Sequence, residues 1–348
     1  MKPLNILFVS EYFYPRAAGG EVWAWELCTE LAKRGHKITV ITTNHDDLKT
    51  AETVQGVRIL RPVKSPKHIG NRVGRWLANK RLIKHVEQYI KVNKGIDLVH
   101  TMAYGVNVPV SRLAKRHSIP CITAVHSFFG KDWSIVLPLP FMRWQERMTI
   151  EKDESTLMHV PSEYLRKRIK EETGRETAVV HNWLPEKFPK PRKFGQPTLL
   201  FVGSLERVKD PLACIPVAKR LDMPLVVIGS GSLEEDLLRD AQRAGIDCAV
   251  RPHATREQTL AAIGGAAMVL IPSVTESFSL VALEAIAQGT PVAGNAVGIL
   301  SELPGVVAWP PKKVSPRVSK AQSLNVVRTF AKKIIVQKIE LIYRRAKT

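Results

Sequence analysis

Short apolar runs recur along this chain, and longer stretches with helical spacing separate them. In the first half the runs cover residues 5–10, 38–43, 57–60, 97–100, 121–126, 157–162 and 179–182. In the second half they cover 198–203, 225–229, 248–251, 268–273, 291–295 and 306–309. Uninterrupted Val, Ile and Leu runs that alternate with helices are typical of parallel sheets covered by helices on both faces. The chain is therefore predicted to be an α/β protein.

The length and one proline-rich segment predict two domains. At 348 residues the chain is too long for one ordinary core and suits two domains of ~150 residues each. Residues 185–197, PEKFPKPRKFGQP, combine prolines with charges and indicate a linker. We therefore expect a first domain over 1–184 and a second over 198–315. Residues 316–348 form a basic C-terminal segment, within which apolar spacing predicts one amphipathic helix over 323–346.

One strand–loop–helix passage, residues 268–292, carries the strongest functional signal. Its strand runs into a polar loop that contains Glu276, and Glu284 lies inside the helix that follows. Ligands bind beyond the carboxyl ends of strands in doubly wound sheets, and free amides at a helix start attract anions. Two carboxylates beside such amides suit a sugar nucleotide, because the acids can bind its hydroxyls and the amides its diphosphate. The plainer alternative is that Glu276 is an ordinary acid at a helix start and that Glu284 is an unrelated surface residue. The residues at this helix start, taken as donor-binding, are Ser277, Phe278 and Ser279.

Glycines and one histidine follow other predicted strands. Gly19 and Gly20 stand before a helix, and Gly229 and Gly231 form a second glycine-rich turn. Glycines let a backbone approach a ligand closely, although an ordinary strand–helix turn explains each pair equally well. His126 ends an apolar run, where a capped core histidine is the alternative to a site residue. These positions are predicted to line a cleft between the carboxyl edges of two sheets.

The sequence ESFSLVALE and the glycine loops resemble the donor-site signature of retaining glycosyltransferases, in particular glycosyltransferase family four. The resemblance is strongest over 198–311 and 1–43. It implies the GT-B architecture, in which two Rossmann-like domains face each other and a final helix often crosses back to the first. It also implies that Glu284 bonds the nucleotide ribose, that Glu276 lies near the sugar and diphosphate, and that His126 contacts the donor sugar.

The start of the second domain departs from this family pattern. The family usually has Arg-x4-Lys here, with both cations on the phosphates. In TLLFVGSLERVKDP, Ser204 stands at the arginine position and Lys209 at the lysine position, so Arg207 is the candidate substitute. There is no Asp-x-Asp sequence and no His, Cys and Asp cluster at metal spacing. Metal independence is also what the resemblance implies, so we expect no cofactor and assign the diphosphate to Lys209, helix amides and Arg207.

Two segments carry the whole net charge of +20. Residues 58–94 and 312–348 each hold 11 Lys and Arg and one acid, while the remainder has 30 residues of each sign. A solvated helix packed on the first domain explains the first segment, and a face for anionic lipid headgroups is the sharper interpretation. The predicted apolar face of that helix consists of Val73, Trp76, Leu77, Leu82, Ile83, Val86 and Ile90.

Residues 131–148 hold a second apolar cluster, which is either core or a groove for an acceptor. Its members are Trp133, Ile135, Leu137, Leu139, Phe141 and Trp144.

These features favour a retaining, hexosyltransferase-like enzyme that moves a sugar from a nucleotide diphosphate to a hydroxyl. We expect the acceptor to be a lipid headgroup or lipid-linked glycan, with no nucleic acid as partner. The expected location is cytoplasmic and peripheral at the inner face of the cell membrane, and four cysteines without disulfide spacing agree with a reducing compartment. The alternatives are a nucleotide-sugar epimerase on the same fold and a non-catalytic protein that binds nucleic acid or membrane.

Overall fold

The computed structural model describes residues 2–16, 19–66, 72–132 and 140–347. The first domain holds the strands β1 (Asn5–Ser10), β2 (Lys37–Asn44), β3 (Ala51–Val54), β4 (Val57–Lys64), β5 (Leu98–Met102), β6 (Cys121–Ala124), β7 (Leu157–Val160) and β8 (Ala178–Val179). Its helices are α1 (Gly19–Lys33), α2 (Arg72–Val92), α3 (Asn107–Arg116), α4 (Pro140–Glu151) and α5 (Glu163–Thr173).

The second domain repeats the alternation of strands and helices. Its strands are β9 (Leu199–Val202), β10 (Leu225–Ile228), β11 (Cys248–Arg251), β12 (Met268–Ile271), β13 (Val292–Gly294) and β14 (Val306–Ala308). Its helices are α6 (Cys214–Leu221), α7 (Glu234–Ala244), α8 (Arg256–Gly265) and α9 (Leu280–Ala287). The chain then continues through α10 (Lys320–Thr329) and α11 (Lys332–Lys347).

Each sheet reverses its strand order at one point. The first sheet has the order β3-β4-β2-β1-β5-β6-β7-β8 and reverses between β1 and β5. The second has the order β11-β10-β9-β12-β13-β14 and reverses between β9 and β12. All strand pairs are parallel except β3 with β4. The crevice at such a reversal is where open α/β sheets bind ligands, so the topology singles out the residues after β1, β5, β9 and β12.

Both faces of each sheet are buried, which explains why the strands are continuously apolar. In β1, Ile6 and Phe8 pack in one core together with α1, whereas Leu7 and Val9 pack in the opposite core together with α2 and α3. Alternate side chains of a strand point to opposite faces, so a strand covered on both sides needs apolar residues at every position. The predicted α/β fold with two parallel sheets is confirmed.

Every predicted apolar run overlaps a strand, although the run 179–182 shares only Val179 with β8, and the sequence did not indicate β3. This short strand is half exposed, and it pairs antiparallel with β4 at the edge of the sheet. A strand of four residues whose burial alternates between exposed and intermediate has no continuous apolar run to reveal it.

Cys28, Cys121, Cys214 and Cys248 are free thiols.

The C-terminal segment forms two helices, so the prediction of one helix over 323–346 is wrong. The helix breaks where Phe330 and Ala331 bond the chain just before the linker: the Phe330 carbonyl accepts the Leu184 amide at 2.9 Å, and Ala331 forms a parallel bridge with Leu184. Val326 of α10 packs in the core of the second domain. Helix α11 packs Ile335, Val336, Ile339, Ile342 and Tyr343 in the core of the first domain. The final helix therefore returns to the first domain.

Helix α2 has a buried part and an exposed part, so the predicted single apolar face is only partly correct. Leu82, Val86 and Ile90 are buried, because they follow one another at i+4 spacing toward the sheet. Val73 and Trp76 lie near the N-terminal end of α2 and are 70% and 54% exposed. Leu77, Arg72 and Lys80 are also exposed. Of the predicted cluster in 131–148, Trp133, Ile135, Leu137 and Leu139 and the side chain of Phe141 lie outside the described residues, while Trp144 is exposed.

Candidate functional site

The strand reversal of the second sheet brings Lys209 and Glu276 together. The Lys209 Nζ donates to Glu276 Oε1 at 2.6 Å, and Ser273 Oγ donates to the same oxygen at 2.8 Å. The two loops are joined by the Val274 amide, which bonds the Val208 carbonyl at 3.0 Å. Lys209 follows β9 and Glu276 follows β12, so the loops from two neighbouring strands place an ion pair in the crevice. Sequence reasoning selected both residues, but it did not anticipate that they pair.

Glu284 is fully buried in α9 and forms an ion pair with Arg256. The Arg256 Nη1 donates to Glu284 Oε2 at 3.0 Å, and Nη2 donates to the other carboxylate oxygen. Burial raises the pKa of Glu284, and the pairing with Arg256 opposes that rise. The Arg256 side chain is 56% exposed, so solvent or a ligand can compete with Glu284 for it. Arg256 starts α8, and no sequence pattern connected it with Glu284.

The glycines of the second domain are required by contact between two loops. A Cβ on Gly229 would lie 1.9 Å from the Gly203 carbonyl oxygen, and one on Gly231 would lie 2.6 Å from the Leu205 carbonyl oxygen. Gly229 also has a φ of +144°, which favours glycine. These glycines therefore let the loop after β10 pack against the loop that carries Lys209. Their predicted role as donor-binding residues stays a prediction.

Arg207 and Ser204 lie at the rim of the same loop. Both side chains are exposed, whereas Lys209 between the two loops is partly buried. The substitution of Arg207 for the missing arginine therefore stays a prediction.

The start of α9 contributes to the contact between the domains. The Ser277 carbonyl accepts Ser162 Oγ at 2.7 Å, and Phe278 is buried with its ring centroid 6.2 Å from that of His181. Ser279 has a φ of +81° and caps α9, with its side chain accepting the Ala282 amide. Ser162 follows β7 and Ser277 follows β12, so the carboxyl edges of the two sheets meet here. Ser277 and Phe278 thus have structural partners, and their predicted donor contacts stay predictions.

His126 follows β6 and lines a cavity of about 220 Å³ at the reversal of the first sheet, beside Gly20 and Tyr104. Its Nε2 atom is buried without a hydrogen-bond partner among the described residues. The rings of His126 and Trp23 have centroids 4.3 Å apart. Burial lowers the pKa of His126 to about 4, so the imidazole is neutral at pH 7. The unpartnered Nε2 atom belongs to a neutral ring and can accept or donate one hydrogen bond, depending on the tautomer.

Gly19 and Gly20 are the first residues of α1, and neither has the positive φ that demands glycine. Among the described residues, a Cβ would meet nothing within 4 Å at Gly19 and only the Met102 Cε, at 3.6 Å, at Gly20. Contacts among the described residues therefore do not require these glycines, and Gly20 lines the cavity, so their predicted role beside a ligand stays a prediction.

A larger cavity of about 520 Å³ lies next to the first, between α2 and α4. Arg75 and Asn79 of α2 contribute to its wall, and Gln145 and Glu146 of α4 lie opposite. Asn79 is buried, and its Oδ1 has no hydrogen-bond partner within the described part of the chain. Arg75 Nε donates to the buried carboxylate of Glu11 at 2.7 Å. Sequence reasoning missed Glu11, although its place directly after β1 was a usable signal.

Behind His126 lies a group of buried rings that reaches the C-terminal helix. The Tyr343 hydroxyl and His100 Nδ1 are 2.7 Å apart, and His100 Nε2 lies 3.4 Å from His159 Nε2. Burial lowers the pKa of His100 to about 3 and that of His159 well below the ordinary value. Both rings are therefore neutral at pH 7, and α11 is connected through them to the core behind the candidate site.

Two family models match the chain in succession. Glycosyltransferase Family 4 matches residues 17–187, and Glycosyl transferases group 1 matches residues 185–304. The chain is similar to a glycogen synthase of Mycobacterium tuberculosis, with 26% identity over 86% of this chain and 80% of the relative.

The fold is similar to that of solved glycosyltransferases. The sucrose-phosphate synthase of Thermosynechococcus elongatus has a TM-score of 0.81 at 18% identity and covers 98% of both chains. HepE of Anabaena, solved in complex with UDP, has a TM-score of 0.71 at 14% identity over 98% of this chain and all of the other. The sequence matches and the architecture of two facing parallel sheets indicate the same family. This chain therefore belongs to glycosyltransferase family four and is a glycosyltransferase of the GT-B architecture.

Proposed function

We propose that this enzyme transfers a hexosyl group, with retention of configuration, from a nucleotide-diphosphate sugar to a hydroxyl of an acceptor held in the first domain. The observation that carries the proposal is the Lys209–Glu276 ion pair at the strand reversal of the second sheet. Family membership supports the retaining stereochemistry, and the UDP held by HepE supports a nucleoside diphosphate as the common part of the donor.

The donor side supplies a partly buried cation, Lys209, and a buried acid, Glu284. On binding, Lys209 exchanges the Glu276 carboxylate for the diphosphate, whose negative charge grows as the glycosidic bond breaks. Glu284 exchanges Arg256 for the ribose hydroxyls. Lys209, the helix amides and Arg207 are the groups to which we assign diphosphate stabilisation, without a metal ion.

The acceptor side supplies a cavity with both apolar and polar walls. Trp76, Phe129 and Met142 offer apolar surface, and Arg72 and Arg75 place cations at the same cavity. The unpartnered Asn79 Oδ1 and His126 Nε2 are suited to hydroxyl groups of an acceptor or donor sugar. An acceptor with a polar, anionic head and an apolar part fits this lining, which is why we propose a lipid headgroup or lipid-linked glycan.

The surface around the cavity supports binding to an anionic membrane. Val73, Trp76 and Leu77 are exposed on α2, and Trp144 is exposed on α4. Lys80 lies over the Trp76 ring at 3.6 Å, and Arg81 and Lys84 are exposed on the same helix. Amphipathic surfaces of this kind lie in the headgroup region, where each cation contributes about 1 kcal/mol. No helix among the described residues is long and apolar enough to cross a bilayer.

The proposed reaction is tested by incubating the protein with a panel of sugar nucleotides. Each donor is tried without an acceptor, with a free sugar, and with a sugar linked to dodecyl phosphate. Release of nucleoside diphosphate that depends on the acceptor is the expected result, and it should survive EDTA. Epimerised sugar nucleotide without transfer would instead identify an epimerase. No reaction with any donor, or complete loss of transfer on chelation that Mg²⁺ or Mn²⁺ restores, would contradict the proposed mechanism.

The membrane proposal is tested separately by co-sedimentation with vesicles that contain from 0 to about 40 mol% phosphatidylglycerol, an anionic lipid. One variant changes Arg72, Lys80, Arg81 and Lys84 to Ser and leaves Arg75, which pairs with Glu11, in place. The matched control changes four exposed lysines of the other domain and its C-terminal extension to Ser, namely Lys219, Lys312, Lys313 and Lys320. Only the α2 variant should lose binding. Equal loss in both variants, or equal binding to neutral vesicles, would contradict the proposal.

A further inference from the structure

We propose that Arg168 is a positioning residue that couples the loop on the acceptor side, residues 126–132, to the loop on the donor side, residues 272–277. The inference rests on the proposed function, because it assigns these loops to the two substrates. Arg168 lies on α5 in the first domain, outside the cavities described above. Neither its place in the sequence nor the family resemblance pointed to it.

The Arg168 guanidinium contacts both loops at once. Its side chain is 6% exposed. Nη1 donates to Asp132 Oδ2 at 2.6 Å and to Thr275 Oγ1 at 3.0 Å, and Nη2 donates to the Phe129 carbonyl. Asp132 and Phe129 belong to the acceptor-side loop, whereas Thr275 belongs to the donor-side loop of the other domain. One planar group thus joins the two domains.

The acceptor-side loop is shaped by carboxylates that hold its backbone. Glu146 accepts the amides of Phe129 and Gly130 at 3.1 and 2.8 Å, and Glu172 accepts the amide of Lys131 at 3.3 Å. Glu172 also accepts Arg168 Nε at 3.2 Å. Phe129 and Glu146 line the 520 Å³ cavity, so a change in cavity occupancy acts on the groups that Arg168 bonds.

The donor-side loop is held at the residues on either side of Glu276. Thr275 is held by Arg168, and the Ser277 carbonyl is held by Ser162 Oγ, the N-cap of the same helix α5. Asn295 Nδ2 holds the start of the loop through the Pro272 and Ser273 carbonyls, both at 3.0 Å. The bonds at Thr275 and Ser277 come from the first domain, so the position of Glu276 depends on where the first domain lies.

The geometry of arginine is what allows this coupling. A guanidinium presents five donors in a rigid fork, while a lysine ammonium is a point charge with three donors on a flexible stem. Arg168→Lys keeps the charge beside Asp132 and Glu172 and loses the bridge to Thr275. Thr275→Val removes the same bridge from the other side with nearly unchanged volume, and Thr275→Ser keeps the hydroxyl as the matched control.

Amide hydrogen exchange of the full chain without ligand tests the coupling directly. Thr275→Val, a change in the second domain, should raise exchange of the Phe129, Gly130 and Lys131 amides in the first domain about fivefold, since one hydrogen bond of about 1 kcal/mol is lost. Thr275→Ser should behave as wild type, and the amides of β10 should be unchanged in all variants. Unchanged exchange at residues 129–131 in folded Thr275→Val would overturn the proposal.

Kinetics with whichever donor the panel identifies give the second readout. Arg168→Lys and Thr275→Val should each lower kcat about tenfold with the donor KM changed less than about twofold, and the double variant should be no worse than either. Additive losses, or losses confined to KM, would contradict a shared bridge. The exchange measurement needs no substrate, so it stands whether or not the proposed transfer reaction is found.

Discussion

The two sides of the cleft satisfy their polar groups in opposite ways. On the donor side the charged groups are paired with each other, Lys209 with Glu276 and Arg256 with Glu284. On the acceptor side, within the residues that the structure describes, the buried Asn79 Oδ1 and His126 Nε2 have no partner, and the cavity beside them is open. On the donor side these charges are therefore already paired, whereas on the acceptor side these two buried polar atoms have no hydrogen-bond partner among the described residues.

This difference has a physical consequence for how each substrate binds. A donor must replace existing ion pairs, so its affinity is the difference between two sets of charged contacts, and its charge decides the exchange. At Asn79 and His126 a substrate meets neutral groups that are already desolvated, so hydroxyl groups of matching geometry gain bonds there without breaking any, and Arg72 and Arg75 add cations at the same cavity. We expect the donor side to respond most to charge substitutions and the acceptor side to respond most to pH and shape.

The largest expected effect follows from removing the donor-side cation. Lys209→Ala should lower kcat roughly 100- to 1000-fold with a smaller change in donor affinity, because the charge on the leaving diphosphate grows in the transition state. Steady-state release of nucleoside diphosphate measures both constants, and Lys219→Ala serves as an exposed control in the same domain. If KM rose while kcat stayed constant, Lys209 would bind the ground state and the transition state equally, and the exchange of partners would not assist the chemical step.

Acid should destabilise the protein through the buried histidines behind the acceptor side. Folding lowers the pKa of His100 to about 3 and that of His159 as well, so below about pH 6.5 the unfolded chain binds protons that the folded chain does not. Stability is therefore present above pH 6.5 and falls as the pH drops, and for His100 the loss between pH 7 and 5 is about 2 kcal/mol.

Urea unfolding at a series of pH values measures this dependence. His159→Leu should reduce the slope of the free energy of unfolding against pH below pH 6.5, because burial lowers the pKa of His159 in the folded chain only. An unchanged slope would mean that His159 is protonated in the folded state, and the description of the acceptor side as neutral would be wrong.

The next effect concerns the second ion pair of the donor side. Glu284→Ala should weaken binding of the matching nucleoside diphosphate about 10- to 150-fold, because a buried ribose would lose a charge-assisted bond of roughly 1.5–3 kcal/mol. Arg256→Gln should not weaken that binding, since Arg256 competes with the ribose for Glu284. Titration calorimetry compares the two. Equal loss in both variants would show that the pair acts as a unit and does not exchange partners.

The smallest effect concerns the exposed cation at the rim. If Arg207 substitutes for the arginine that Ser204 lacks, Arg207→Ala should lower kcat about two- to fivefold, as expected for an exposed charge worth less than about 1 kcal/mol. Ser204→Arg should raise kcat by a similar factor. Wild-type kinetics for Arg207→Ala would assign diphosphate stabilisation to Lys209 and the amides alone.

The sequence predicted the strands well because both sheets are covered on both faces. Such strands are apolar at every position, and that pattern needs no knowledge of neighbours. The half-exposed strand β3 lacked the pattern and was missed. The break between α10 and α11 was also missed, because the apolar spacing continues through Phe330 while the cause, the Leu184 amide, lies far away in the chain.

For the candidate site, the sequence alone placed Lys209, Glu276 and His126 at or after the ends of predicted strands and Glu284 in the helix that follows one of them. Only the tertiary structure decided their partners. Arg256, Thr275 and Arg168 are ordinary residues in the sequence, and they matter because folding brings them within hydrogen-bonding distance of groups that are remote along the chain. Local periodicity encodes which elements form, whereas pairing of charges depends on distances across the fold, which no local pattern contains.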